Sequence, residues 1–121
     1  PVYGKGENVR DWLHVNDHCR ALTKVYLEGR AGEQYNIGGD NEWKNIELVE
    51  SICDILNRDV GNGPDGDYKH LISFVTDRPG HDFRYSVDAS KIKNELDWSP
   101  TQDFDALLTQ TVKWYVKKYK R

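Results

Sequence analysis

The stretch Val9-Arg10-Asp11-Trp12-Leu13-His14-Val15-Asn16-Asp17-His18-Cys19-Arg20-Ala21 decides the fold of this chain. Its first half alternates apolar and polar side chains, which predicts a β-strand over 9–15. Asn16 and Asp17 are residue types that cap a helix. The helix that follows, up to Glu28, should carry its apolar side chains on one face, at Cys19, Leu22, Val25 and Tyr26. The stretch therefore predicts a strand-to-helix turn with an arginine just ahead of it.

Outward from this stretch, strand and helix patterns alternate along the 121 residues. We expect strands at 33–37, 71–75 and 85–87, and helices from Asn45 to just before residue 61, over 89–96 and from about Thr101. The apolar stripe of the second helix is Ile46, Val49, Ile52, Cys53 and Leu56, and that of the last helix is Phe104, Leu107, Leu108, Val112 and Tyr115. No linker divides the chain, so the pattern predicts a single α/β region over 1–121.

Composition excludes several classes of protein. The net charge is −3, and the 17 Lys and Arg residues are scattered except in the tail 117–121. A nucleic-acid-binding protein should show a basic face, so we expect no nucleic-acid partner. No apolar run is long enough to span a membrane, which favours a cytoplasmic protein. Cys19 and Cys53 lack zinc spacing and are expected to be reduced and buried rather than part of a disulfide or a metal site.

The loop Gly61-Asn62-Gly63-Pro64-Asp65-Gly66 matches the letters of the GxGxxG dinucleotide fingerprint. That fingerprint requires a strand before it and a helix after it. Here a predicted helix precedes the loop, and Asp65 would bring a negative charge to the phosphates. We therefore predict a surface loop and no cofactor-binding residues. His14 and His18 straddle the predicted cap, so they should not share a helix face as metal ligands.

Two arginines, Arg10 and Arg78, each follow or precede an aspartate, Asp11 and Asp77. Each arginine could simply pair with its neighbouring acid. Alternatively, the two guanidinium groups could hold a diphosphate, because a guanidinium binds phosphate oxygens in a bidentate way. His81 closes the turn that begins at Arg78, where a structural and a functional role are both open.

Five motifs together resemble a known family. They are Pro-Val-Tyr-Gly-Lys-Gly (1–6), Arg-Asp-Trp-Leu-His-Val-Asn-Asp-His (10–18), Tyr-Asn-Ile-Gly-Gly (35–39), Lys-Asn-Ile-Glu (44–47) and Asp-Arg-Pro-Gly-His-Asp-x-Arg-Tyr (77–85). In this order they resemble the carboxy-terminal third of the dTDP-glucose 4,6-dehydratases, which are extended short-chain dehydrogenase/reductases with a Rossmann-type fold. The last motif is the most particular to the dehydratases.

The resemblance implies a lyase that binds NAD in an amino-terminal Rossmann domain outside this chain. Such an enzyme oxidises a dTDP-sugar at C4, eliminates water across C5 and C6, and returns the hydride to C6. Its catalytic tyrosine and lysine would also lie outside this chain, and no tyrosine here is followed four residues later by a lysine. The chain would therefore supply nucleotide-sugar binding and be inactive alone. The parent would be a homodimer through helices that are absent here.

The resemblance also implies which residues touch the substrate. Pro1, Val2 and Tyr3 correspond to a loop that lines the nucleotide, and Arg10 to a contact with the diphosphate. Asn45 would hold the nucleotide end. Asparagine is also a residue type that caps helices. The closing loop, with Arg78 on phosphate and ribose, would be Asp77, Arg78, Pro79, Gly80 and His81.

Two alternatives remain open from the residues. The chain could belong to another nucleotide-sugar epimerase or dehydratase, or it could be an interaction module without a small ligand. The first residue is Pro1 and methionine is absent, so we expect part of a longer protein. Such a part would expose apolar surface and strand edges.

Overall fold

The computed structural model describes residues 1–119, so Lys120 and Arg121 of the predicted basic tail lie outside the described residues. The strands are β1 (Val2–Tyr3), β2 (Val9–Asp11), β3 (Glu42–Lys44) and β4 (Phe74–Val75). The helices are α1 (Val15–Glu28), α2 (Asn45–Asp59), α3 (Ser90–Leu96) and α4 (Phe104–Tyr119). Two short 3-10 turns, Pro64–Gly66 and Tyr68–Leu71, join α2 to β4.

The strands form two small sheets. β1 pairs in parallel with β4, so that Tyr3 lies opposite Val75. β2 pairs antiparallel with β3, so that Arg10 lies opposite Trp43, and a parallel bridge joins Val9 to Arg84. These ladders bring the amino terminus, the start of α2 and the segment 74–85 to one side of the molecule.

Two apolar clusters hold the helices together. Ala21, Ile92, Leu96 and Trp98 form one cluster between α1, α3 and the residues that follow α3. Leu48, Ile55, Leu108 and Val112 form the other between α2 and α4. The predicted stripe of α4 is confirmed at Leu108 and Val112 and is wrong at Tyr115, which is exposed. The stripe of α2 is confirmed at Cys53, but the helix also buries Leu48 and Ile55 on an adjoining face.

The predicted start of α1 is wrong, and its predicted apolar face is confirmed only at Val25, which packs against the first apolar cluster. The helix begins at Val15, and the side chain of His14 accepts the first hydrogen bond, from the Asn16 N–H. α1 turns Ala21 inward and leaves Cys19 and Tyr26 exposed. The reason is that Asp17 lies on the inward face, where its carboxylate is bonded to the segment after α3. The spacing of apolar residues did not predict this face, because a buried carboxylate rather than an apolar stripe determines it.

Several predicted strands are shortened or missing. Residues 33–37 and 85–87 form no strand, and 71–75 is a strand only at Phe74–Val75, because Leu71 ends a 3-10 turn. A strand needs a hydrogen-bonded neighbour, and 33–37 finds none among residues 1–119. β3 was not predicted. The mixed α/β content, the surface loop at 61–66 and the burial of Cys53 are confirmed, and both cysteines are free.

Within residues 1–119, no helix has the length and apolar character that a membrane crossing requires.

Candidate functional site

The first part of the site is the junction between β1 and the segment after β4. Gly4 follows β1 in the left-handed region, with φ of +56°, and its N–H donates to the Val75 carbonyl over 2.9 Å. A Cβ at Gly4 would lie 3.1 Å from Asp77 Oδ2. Glycine therefore lets the chain pass close to the Asp77 side chain, which places Tyr3 beside the turn that Asp77 opens.

Arg10 is the centre of the site. Its Nη2 lies 2.9 Å from His81 Nε2 and donates to the Asp82 carbonyl over 2.9 Å, while Nη1 donates to the Val9 carbonyl over 2.7 Å. The guanidinium lies 4.4 Å from the centre of the Tyr85 ring, within the range of a cation–π contact. Arg10 therefore joins β2 to 81–85 and uses most of its N–H groups to do so.

Asp77 and His81 form the turn that faces Arg10. His81 Nδ1 lies 2.6 Å from Asp77 Oδ1, which also accepts the Arg78 N–H over 2.8 Å. A guanidinium only donates, so His81 Nε2 must accept from Arg10 and the ring proton must be on Nδ1. The bond from His81, followed by that from the Arg78 N–H, holds the pKa of Asp77 below its usual value against the opposing effect of burial.

Neither arginine pairs with the acid next to it in sequence. Asp11 accepts hydrogen bonds from the N–H groups of Gly39 and Asn41, over 2.7 and 3.0 Å, and so fixes the loop before β3. Asp77 bonds the His81 ring and the Arg78 backbone. The simple Arg–Asp pairs that the sequence allowed are therefore wrong.

Arg78 places an exposed positive charge at the site. Its guanidinium lies 5.5 Å from the centre of the exposed Tyr3 ring, and it forms no salt bridge to any residue of 1–119. The edge of Tyr3 also meets the ring of His81, with centroids 6.3 Å apart. An exposed guanidinium beside an aromatic ring can receive a phosphate and a planar group side by side.

Asn45 is the first residue of α2 rather than its cap, because Lys44 precedes the helix and the Glu47 carboxylate accepts the Lys44 N–H over 2.9 Å. The Asn45 N–H donates to the Asn8 carbonyl over 3.0 Å. The side-chain oxygen of Asn45 is buried and has no hydrogen-bond partner among the described residues. Such a group carries a cost in stability, which suggests a role other than holding the fold.

The remaining predicted residues differ in exposure. Pro1, Pro79 and Gly80 are exposed, and Gly80 has a φ of +67° at the tip of the turn. Val2 is buried, and its N–H donates to the Ser73 carbonyl over 2.7 Å, so it anchors β1. The structure thus brings Tyr3, Arg10, Asp77, Arg78 and His81 into one cluster of contacts.

Tyr85 and Asp82 also belong to the site, although they were not among the predicted site residues. The Tyr85 hydroxyl donates to the Asp82 carboxylate, and this bond, with the nearby negative charge, raises the pKa of Tyr85. Both residues are within the motif 77–85, which was the available signal. Arg84 supports the segment through two bonds to Glu42, of 2.9 and 2.8 Å.

A cavity of about 400 Å³ lies elsewhere, between the loop 38–41 and the segment 98–102. None of the predicted site residues lines it. Residues 1–119 contain no group of three His, Cys, Asp or Glu side chains placed to hold a metal ion.

Comparison with known proteins supports the resemblance. The chain is 53% identical over 118 residues to a dTDP-glucose 4,6-dehydratase of Escherichia coli, a match that covers 96% of this chain and 33% of the relative. The chain therefore spans about a third of the length of the curated relatives it matches.

Solved structures of dTDP-glucose 4,6-dehydratases are also similar to this chain. The dTDP-glucose 4,6-dehydratase of Bacillus anthracis, solved in complex with NAD, matches with a TM-score of 0.83 and 50% identity over 99% of this chain and 35% of its own. The enzyme of Streptomyces venezuelae, solved with NAD and TYD bound, matches with a TM-score of 0.78 and 44% identity over 97% of this chain and 34% of its own.

These matches confirm the predicted fold class, a portion of a Rossmann-type extended short-chain dehydrogenase/reductase. A family model described as GDP-mannose 4,6 dehydratase matches residues 1–111. Because this match covers most of the 121 residues, the chain belongs to that dehydratase family.

Proposed function

We propose that this chain is the nucleotide-sugar-binding part of a dTDP-glucose 4,6-dehydratase. The observation that carries the proposal is the cluster around Arg10, in which a fixed turn presents the exposed guanidinium of Arg78 beside Tyr3. The relatives named above support dTDP-glucose as the substrate of the whole enzyme.

In this proposal the diphosphate binds at Arg78. A diphosphate brings negative charge, and Arg78 offers a guanidinium that no acid of residues 1–119 neutralises through a salt bridge. Arg10 adds a second positive charge close by, but its N–H groups already hold His81, Asp82 and Val9. Arg78 is therefore the principal ligand of the phosphates, and Arg10 shapes the turn and strengthens the positive field.

The chemistry of the whole enzyme would require groups outside this chain. In the whole enzyme, NAD held by residues outside this chain would supply the redox chemistry, that is, hydride acceptance at C4 of the sugar and hydride return at C6. The residues present do not fit NAD, because the GxGxxG letters at 61–66 follow helix α2 and lead into 3-10 turns rather than a helix. We therefore expect no turnover of dTDP-glucose by this chain in the presence of NAD, and measurable turnover would contradict this part of the proposal.

Calorimetric titration with dTDP tests the binding role. The wild-type chain should bind dTDP, and Arg78→Ala should weaken binding by about 1.5–3 kcal/mol, the value of a hydrogen bond to a charged group. Lys93→Ala removes the same charge from the exposed side of α3 and should bind like the wild type. The absence of heat from a folded wild-type sample, or equal losses in both variants, would contradict the proposal.

The same titration separates the alternatives. A dTDP-glucose 4,6-dehydratase should prefer dTDP to UDP and GDP, whereas equal or tighter binding of another nucleotide would favour another nucleotide-sugar enzyme of the family. An interaction module would bind none of the three.

A further inference from the structure

His81 holds two groups of opposite hydrogen-bonding character. On one side Nδ1 donates to the Asp77 carboxylate over 2.6 Å, and on the other Nε2 accepts from Arg10 Nη2 over 2.9 Å. The side chain is only 5% exposed. Only the neutral ring with its proton on Nδ1 satisfies both contacts at once.

Protonation of His81 would break this arrangement. The added proton goes to Nε2, so that an N–H group of the ring would face an N–H group of Arg10. Two donors and two positive charges would then meet across 2.9 Å at a ring that has little contact with water. The contact with Asp77 would survive protonation, so the ring and the turn would separate from Arg10.

The other groups around the ring do not replace the lost contact. Tyr3 meets the ring by its edge, and the Asp82 carboxylate accepts from the Tyr85 hydroxyl. Arg10 also donates to the carbonyl of Asp82, which lies in the same turn as His81. The titratable and charged groups that surround the ring are Tyr3, Arg10, Asp77, Arg78, Asp82 and Tyr85.

We propose that His81 is a positioning residue, whose neutral form with the proton on Nδ1 locks the turn 77–82 against Arg10 and whose protonation releases the turn and weakens substrate binding. The proposal deepens the proposed function, since it rests on the turn that carries Arg78. It predicts that a diphosphate sugar binds more weakly when His81 is protonated than when it is neutral.

Nuclear magnetic resonance of the full chain tests the first part directly. The ¹⁵N shifts of the His81 ring should show the form protonated on Nδ1 at pH 7.5. The amide signals of Arg78 and Asp82 should then move with the same midpoint as the His81 ring when the pH is lowered to 5.5. The proposal would be overturned if the ring were protonated on Nε2 at pH 7.5, or if the amide signals did not change together with those of the ring. Either result would count whether or not the chain binds a nucleotide.

Titration with dTDP-glucose tests the second part. Both of its phosphates are esterified, so its own charge stays constant between pH 7.5 and 5.5, and a change in Kd over this range comes from the protein. The wild-type Kd should rise about tenfold over this range, the effect of one hydrogen bond to a charged group. His81→Gln, which cannot titrate, should show a constant Kd, and His70→Gln, in an exposed 3-10 turn, should follow the wild type.

The two proposals fail in different ways. If the wild type binds dTDP-glucose equally well at both pH values, the role of His81 is overturned and the proposed function stands. If the wild type does not bind at either pH, the proposed function is overturned, and the ring and amide signals still decide whether His81 locks the turn.

Discussion

Arg10 and His81 are 71 residues apart in the chain, and their side chains meet over 2.9 Å between Nη2 and Nε2. Arg10 is held by the ladder of β2 and β3, and His81 by the turn that follows β4. The contact therefore joins the two small sheets and gives the turn 77–82 one position. The location of the Arg78 guanidinium depends on this position, because Arg78 is part of the turn.

Arg10→Lys should weaken both the fold and the site although it keeps the charge. A lysine ammonium is a point charge and cannot reach His81, the Asp82 carbonyl and the Val9 carbonyl in the geometry of a guanidinium. We expect a loss of about 1–3 kcal/mol in the free energy of unfolding, measured with urea, and weaker binding of dTDP. Arg58→Lys, at an exposed arginine of α2 outside the site, is the matched control for binding and should bind dTDP like the wild type. Unchanged binding in Arg10→Lys would show that charge alone matters.

Asp17→Asn should destabilise the contact between α1 and the segment after α3. Burial alone would raise the pKa of Asp17, but hydrogen bonds from the Thr101 N–H, the Thr101 hydroxyl and Arg20 outweigh burial and lower it. We expect a loss of about 1–3 kcal/mol at pH 7. Because the folded pKa is lowered, this stabilisation is present above the unfolded pKa and disappears as the pH falls through the folded pKa.

A double-mutant cycle with Thr101→Val measures the Asp17 contact. Thr101→Val removes the hydroxyl that lies 2.8 Å from Asp17 Oδ1 and should cost about 1 kcal/mol in the wild type. The same change should cost less in the Asp17→Asn background. Additive losses would show that the two side chains do not interact.

Asn45→Ala should separate binding from stability. The buried side-chain oxygen of Asn45 has no donor among the described residues, so removing it breaks no hydrogen bond to that oxygen within the fold. We expect the free energy of unfolding to stay within about 0.5 kcal/mol of the wild type, or to increase. Binding of dTDP should nevertheless weaken. A large loss of stability would identify Asn45 as a structural residue.

Asp59→Asn should change how acid unfolds the protein. Hydrogen bonds from Arg58 and then Lys113, which joins α2 to α4, lower the pKa of Asp59 from 3.8 to about 2. The ion pairs therefore stabilise the fold fully above pH 3.8, and this stabilisation is lost as the pH falls toward 2. The difference in unfolding free energy between wild type and variant should shrink over that range.

Much of the fold could be predicted from local pattern. The helix from Asn45, the inward positions Leu108 and Val112 of α4, and the surface loop at 61–66 follow from helical spacing and glycine content. The inward face of α1 could not be predicted, because the Asp17 carboxylate and its partner Thr101 are 84 residues apart. Residues 33–37 have a strand pattern but find no neighbouring strand in residues 1–119.

The sequence motifs point to candidate site residues but not to the contacts that these residues make. The motifs identified Arg10, Arg78 and His81, and the structure brings them into one cluster. Sequence neighbours suggested Arg–Asp pairs, whereas the structure joins Arg10 to His81 and leaves Arg78 free of salt bridges to residues 1–119. Partners that are distant in sequence decided these contacts, and local spacing carries no information about them.

Mapping of amide shifts on addition of dTDP to the ¹⁵N-labelled chain tests the central claim most directly. We predict that the largest shifts occur at Tyr3, Asn45 and residues 78–82, around the exposed guanidinium of Arg78. Shifts confined to residues 38–41 and 98–102, which line the cavity of about 400 Å³, or no shifts in a folded sample, would contradict the assignment of this turn as the nucleotide-binding site.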